Sequence, residues 1–153
     1  LEKAMAKIEQ ALAKERDFWH VKSYQYNRAI LEVPEKQVIE EIKARWQLPA
    51  VYLTFLERFS PASDAFLKGI NLYGANTLIK HQCGYAFSSP NDELFPNWKA
   101  HWLVIADQDA DPYILDLSKS DGNDVPIYKA PHGAGQWKWR KVAESFLAFL
   151  EKL

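Results

Sequence analysis

The sequence predicts an α+β domain: helices first, then a mainly antiparallel meander, then a closing helix. Three observations predict it. Apolar residues recur at spacings of three and four up to Phe59. After Pro61 the apolar runs become short, glycine-bounded or alternating, as strands are. Helical spacing returns only at the end, in Val142, Phe146, Phe149, Leu150 and Leu153.

Taken in order, residues 1–16 are expected as an amphipathic helix with Met5, Ile8 and Leu12 on one face. Residues 17–33 hold Phe18, Trp19, Tyr24 and Tyr26 without a clean period and receive no assignment. Pro34 suits the first turn of a second helix, whose stripe is Val38, Ile39, Ile42 and Trp46. Leu48-Pro49 interrupts it, because proline drives its predecessor out of the helical region. Tyr52, Phe55, Leu56 and Phe59 mark a third helix, ending near Ser60-Pro61. Gly69-Ile70-Asn71-Leu72-Tyr73-Gly74 reads as a strand, and residues 75–100 mix Tyr85, Phe87, Leu94, Phe95 and Trp98 with turn formers. His101-Trp102-Leu103-Val104-Ile105-Ala106 is a buried-strand run, and Pro112-Tyr113-Ile114-Leu115-Asp116-Leu117 an alternating one. Residues 118–124 form a polar turn. Val125-Pro126-Ile127-Tyr128 is a further strand, placed at a sheet edge because proline has no ladder donor. Residues 137–141 read as a junction into the closing helix.

A chain of 153 residues suits one domain, spanning residues 1–153. That size buries roughly 68–70% of its unfolded surface, and a 48% apolar content supplies a core for it. The net charge of −1, from 19 basic and 20 acidic residues, gives no support to a nucleic-acid partner. Cys83 is the single cysteine, which excludes an internal disulfide and a cysteine-built zinc site. A reducing, cytoplasmic location fits that usage. Charges scattered from Glu2 to Arg16 leave no signal-peptide run, and no 18-residue apolar stretch follows, so no membrane partner is expected. The chain opens on Leu1 rather than Met, which leaves room for a longer precursor.

The densest chemistry lies in IADQDADPYILD, residues 105–116, where Asp107, Asp109, Asp111 and Asp116 fall within ten residues. A calcium loop starting at Asp107 would place Asp109 and Asp111 correctly. It fails at the sixth position, where Pro112 replaces the turning glycine, and at the twelfth, where Ser118 replaces a bidentate glutamate. A carboxylate pair for hydrolysis needs a set separation and split pKa values, which sequence does not give. A solvated hairpin turn is favoured, since Asp side chains bond backbone amides two residues onward. Such a turn can still present charge to a partner.

Other signals are weaker. Cys83 near His81, with His132 further on, lacks the local signatures of thiol proteases, and a lone cysteine is most often a small buried hydrophobe. The four histidines show no paired helical spacing for a metal. Trp137-Lys138-Trp139-Arg140-Lys141 interleaves aromatics and bases as single-strand binders do, but the neutral chain favours a structural junction. No phosphate loop or serine-elbow motif occurs. No catalytic residue, metal or cofactor is therefore assigned.

Val33-Pro34-Glu35…Ile39…Leu48-Pro49-Ala50-Val51-Tyr52-Leu53-Thr54-Phe55-Leu56 resembles the opening of the SUKH superfamily, in its Smi/Knr branch. Leu72-Tyr73-Gly74 is compatible with the branch's first strand region. The strongest match is Trp102-Leu103-Val104-Ile105-Ala106-Asp107, continued by Asp111-Pro112-Tyr113-Ile114-Leu115-Asp116-Leu117-Ser118. Pro126-Ile127-Tyr128, His132-Gly133 and the closing helix follow in order. The resemblance covers about residues 34–153, leaving the first 33 outside it. Ser60-Pro61 stands where the family usually has Asn-Gly, and Ala110 where a glycine is common.

The resemblance implies binding rather than catalysis. Bacterial members are proposed as immunity proteins against a cognate toxin, and fungal members act in cell-wall assembly through partners. A protein-binding domain facing a toxin is thus expected, with a regulatory scaffold or a carboxylate-dependent hydrolase as alternatives. On this reading Asp107, Asp109, Asp111 and Glu93 supply charge, with Trp98, Tyr113 and Trp137 as aromatic anchors.

Overall fold

The computed structural model describes residues 1–21 and 31–153, and in residues 15–21 the backbone alone. Tyr24 and Tyr26 of the unassigned aromatic segment lie outside the described residues. Helix α1, Glu2–Val21, runs past residue 16 and buries Ala4, Met5, Ile8 and Leu12. Strand β1, Leu31–Glu32, pairs antiparallel with β2, Ser60–Pro61. Helix α2, Lys36–Arg45, buries Ile39 and Ile42 and ends with Lys43 and Arg45, whose charges suit a helix C-terminus. Its cap residue is Glu35, so Pro34 precedes the helix rather than opening it.

Helix α3, Ala50–Arg58, starts directly after Pro49 and buries Tyr52, Phe55 and Leu56. Its leading amides are satisfied from far away in sequence. Ala50 N–H donates to Gly122 O at 3.1 Å and Val51 N–H to Asn123 O at 2.9 Å. The polar turn at residues 118–124 therefore caps this helix.

The main sheet is a six-stranded antiparallel meander in sequence order. Its strands are β3 Asp64–Leu67, β4 Ile70–Tyr73, β5 Trp102–Gln108, β6 Asp111–Asp116, β7 Ile127–Lys129 and β8 Arg140–Ala143. A short helix α4, Ala75–His81, joins β4 to β5, and α5, Phe146–Lys152, closes the chain. The α+β class holds, and two local expectations change. Strand β7 lies between β6 and β8 rather than at an edge, because Pro126 falls just before the ladder and removes no donor from it. Residues 140–143 form the edge strand instead of opening the closing helix.

Both faces of the sheet centre are covered. Tyr113 packs on Phe149 of α5 at 5.3 Å between ring centres, and residues directly opposite across a ladder share its face. Ala106 and Lys129 therefore lie on the α5 side. Val104, Ile114 and Tyr128 form the opposite row, towards α4. Ile105 is the extra residue of a bulge between Val104 and Ala106, which reverses the outward alternation of β5 beyond it.

Strand β4 reaches β5 only at Asn71↔Asp107 and Leu72↔Ala106. Further along, Gln82 takes the place of a strand. Its Nε2 donates to Val104 O at 2.8 Å, and its Oε1 accepts Val104 N–H at 3.0 Å. The side chain is fully buried, so one amide closes a stretch of sheet edge that no strand among the described residues covers.

Candidate functional site

The pair Gln108↔Asp111 leaves Asp109 and Ala110 as a two-residue turn. Both have positive φ, 51° and 68°, the pattern of a type I′ hairpin. The acidic stretch is therefore a hairpin. Ala110 holds its left-handed conformation with a Cβ present, a strain that glycine avoids. Ala110→Gly is expected to raise stability by about 0.5–1 kcal/mol, seen as a higher denaturation midpoint at constant m.

The four carboxylates diverge. Asp109 is exposed at the tip. Asp107 points to the α4 side and accepts the Tyr73 hydroxyl at 2.6 Å and Asn71 Nδ2 at 3.4 Å. Asp111 accepts the His132 N–H at 2.9 Å, with His132 Nδ1 at 2.8 Å. These bonds hold its carboxyl below the usual carboxylate range, the backbone amide first and the ring second. Asp116 accepts the Ser118 hydroxyl at 2.6 Å and its amide at 3.3 Å, fixing a turn of 3₁₀ helix at Leu117–Lys119.

Beneath Asp107 lies a buried polar network. Asp64 Oδ1 accepts the Thr77 hydroxyl at 2.6 Å, and its Oδ2 sits 2.7 Å from His81 Nε2 and 3.3 Å from Asn71 Nδ2. The His81 ring stacks on Tyr73 at 3.9 Å. Burial pushes Tyr73 far above its ordinary pKa, and its bond to Asp107 adds to this, so its hydroxyl stays a donor. For Asp64, burial acts upward, but the bonds from His81, Thr77 and Asn71 together prevail and lower its pKa.

A depressed native pKa stabilises the fold above the unfolded value, near 4, and loses that contribution as pH falls through the lower native value. Asp64→Asn is therefore expected to lower stability at neutral pH and to flatten the loss of stability below about pH 4. Denaturant titrations of both proteins down the acid limb check it; parallel curves would remove Asp64 from the acid response.

The second feature is a cluster of aromatic side chains on the α4 side. Trp98 sits edge-on to Trp102, Trp137 and Trp139, with centres 5.5, 5.5 and 5.9 Å away. Trp137 and Trp139 stack at 5.4 Å, and Lys99 lies over Trp102. Trp102, Trp137 and Trp139 are half-buried. Tyr85 joins the two features: its ring is 6.2 Å from Trp137, and its hydroxyl donates to Ala110 O at 2.8 Å. The Tyr85 pKa is pushed up to about 12, by burial first and the Asp107 charge second.

The expected site residues thus separate. Asp109, Tyr85 and Trp137 belong to one continuous face, and Glu93 is exposed in the loop leading to Trp98, beside Leu94. Trp98 and Tyr113 do not serve as surface anchors in this arrangement, being 5% and 7% exposed. Trp98 is the hub of the cluster, with Nε1 donating to Trp102 O, and Tyr113 lies between Phe149 and Lys129 on the other side. Trp102, Trp139 and Tyr85 were missed as partners of Trp137. Alternation of Trp137 and Trp139 about Lys138, just before β8, is the signal that marks a shared face of an extended segment.

His81 is engaged by Asp64 and His132 by Asp111, so neither pairs with half-buried Cys83. Among the described residues no group of three or more His, Cys, Asp or Glu is placed to hold a metal, and no helix is long and apolar enough to cross a membrane. Comparison with protein families finds that the model of the SMI1 / KNR4 family (SUKH-1) matches residues 34–152. No curated protein matches the chain significantly.

Proposed function

Because this chain belongs to the SMI1 / KNR4 family (SUKH-1), we propose that it is a cytoplasmic immunity protein that binds and silences a cognate toxin domain. Membership supports a non-catalytic immunity or regulatory domain in general, with another protein as partner. The observation that carries the finer reading is the face where exposed Asp109 adjoins half-buried Trp137 and Trp139 through Tyr85. Tryptophan and tyrosine are enriched among the few residues that carry most of the binding energy at protein interfaces, and a partly exposed stack keeps area free for a partner. Carboxylates at its border steer a basic partner, raising the on-rate more than the affinity. Asp109 and Glu93 give the exposed charge here, with Asp107 and Asp111 behind the turn engaged by Tyr73 and His132, and Trp137 with Trp139 the anchor.

Capture of partners by the tagged protein from lysate of its source, at low and moderate salt, tests this. A stoichiometric, salt-sensitive partner with a basic toxin domain is expected. Asp109→Asn with Asp111→Asn should then weaken the complex and flatten its salt dependence, and Trp137→Ala should weaken it at every salt concentration. Unchanged affinity and salt slope in the double variant would remove the turn from the interface. Recovery of signalling components without a toxin would replace the immunity reading with a regulatory scaffold.

A further inference from the structure

A pocket of about 230 Å³ opens on the α5 side of the sheet. Lys68, Lys129, Arg140 and Lys152 line it, each from a different part of the chain: the β3–β4 turn, β7, β8 and α5. Tyr113, Val142 and Phe149 form its apolar wall. We propose that this pocket binds a small amphipathic anion, a phosphate monoester or carboxylate carrying a compact apolar group.

Charge balance is the first argument. Four cations converge in a chain whose net charge is −1. Among the described residues the carboxylate within 4.0 Å of any of them is Asp111, 4.0 Å from Lys129 Nζ and already bonded to His132. The Lys129 side chain is only 13% exposed, and its short contacts are neutral: Gln108 Oε1 at 2.7 Å and the face of the Tyr113 ring. An ammonium withdrawn from water gains from an anionic partner closer than Asp111 at 4.0 Å, and an incoming acid group supplies one.

Among the described residues no carboxylate lies within 4.0 Å of the remaining three cations, and backbone groups place two of them. Lys68 Nζ donates to Lys152 O at 2.8 Å, and Lys152 Nζ to Val142 O at 2.6 Å. Backbone carbonyls thus hold both ammonium groups at the rim. Arg140 is exposed beside them, and its planar fork suits the paired oxygens of a phosphate or carboxylate.

The wall and the volume set the rest of the ligand. An inorganic anion alone would leave Tyr113, Val142 and Phe149 unused, whereas a ring or short chain would cover them. Pockets for drug-sized ligands measure roughly 300–1,000 Å³, so this smaller one suits a single ring or short chain with its acid head.

Titration of the full chain with phenyl phosphate, followed by calorimetry and amide chemical shifts, tests the proposal. Inorganic phosphate and benzyl alcohol serve as the two halves of the probe. Saturable binding is expected, with shifts at Ile70, Tyr113, Val142 and Phe149, weakened by salt and at least about tenfold tighter than either half. Arg140→Gln, at an exposed position, should leave thermal stability unchanged and weaken binding by about tenfold. Hexanoate in place of phenyl phosphate separates a carboxylate site from a phosphate site, and saturation by either supports the pocket. Absence of saturation with both, equal affinity for inorganic phosphate, or an Arg140→Gln variant that binds unchanged would overturn it.

Discussion

Gly74→Ala is expected to cost about 3 kcal/mol or more. Its backbone angles are ordinary, φ −86° and ψ 166°, so conformational freedom is not the reason. The reason is space. A Cβ at residue 74 would press into the carbonyl oxygens of Pro61 and Ser63. Both are backbone atoms and neither can swing away. The Ser63 carbonyl also accepts the Gly74 N–H at 2.9 Å, and the Ser60 hydroxyl accepts the next amide, Ala75 N–H, at 2.6 Å. Moving the 60–63 segment to admit a methyl group therefore breaks the bonds that start α4. Through β2 it also disturbs the pairing with β1. Gly122→Ala is the control, since nothing lies within 4 Å of its Cβ although its φ is 88°. That substitution should cost only the left-handed strain, about 1–2 kcal/mol. Urea midpoints of the two variants decide it, and a Gly74→Ala loss no greater than that of Gly122→Ala would contradict the packing account.

Gln82→Leu should cost about 2–5 kcal/mol, although it keeps volume and adds apolar surface. The native amide satisfies both backbone groups of Val104 in the middle of the core, and Val104 and Gln82 are each fully buried. Leucine leaves an N–H and a C=O with no partner and no water, each worth roughly 1–3 kcal/mol when orphaned. Hydrogen exchange gives the specific readout: the Val104 amide should lose protection by far more than the amides of β7. Retained protection at Val104 would mean that another group already covers this edge.

Neither residue stands out in the sequence. Gly74 looks like the end of a strand, and Gln82 like part of a mixed, turn-rich stretch. Their roles come from chain segments that sequence alone does not bring near them. Strand β3 was hidden for a related reason. Ala65 and Leu67 face the core, but the other face is inverted, with Asp64 buried against His81 and Phe66 43% exposed, so the usual polar-out alternation is absent. Helix α4 has seven residues, too few to establish a period.

The candidate site divides in the same way. That residues 105–116 form a hairpin was legible, because two apolar runs flank a short acidic break and Asp favours turns. Where its carboxylates point was not. An extended chain would aim Asp107, Asp109 and Asp111 alike, but the two-residue turn separates Asp109 from the strand ladders. Asp107 then faces Tyr73, and Asp111 faces His132. The same limit applied to the tryptophans, since burial depends on which side chains close over a ring.

By itself the sequence determined the helices α1 to α3 and α5, the β5–β6 hairpin and the family over residues 34–152. All of these rest on local periodicity, turn chemistry or ordered motifs, which a linear chain carries. Only the tertiary structure decided that Trp98 and Tyr113 are inside, that Trp137 joins Tyr85 beside the acidic turn, and that four cations share one pocket. Those facts join residues tens of positions apart, and what brings them together is the register of the sheet and the packing of helices on its two faces.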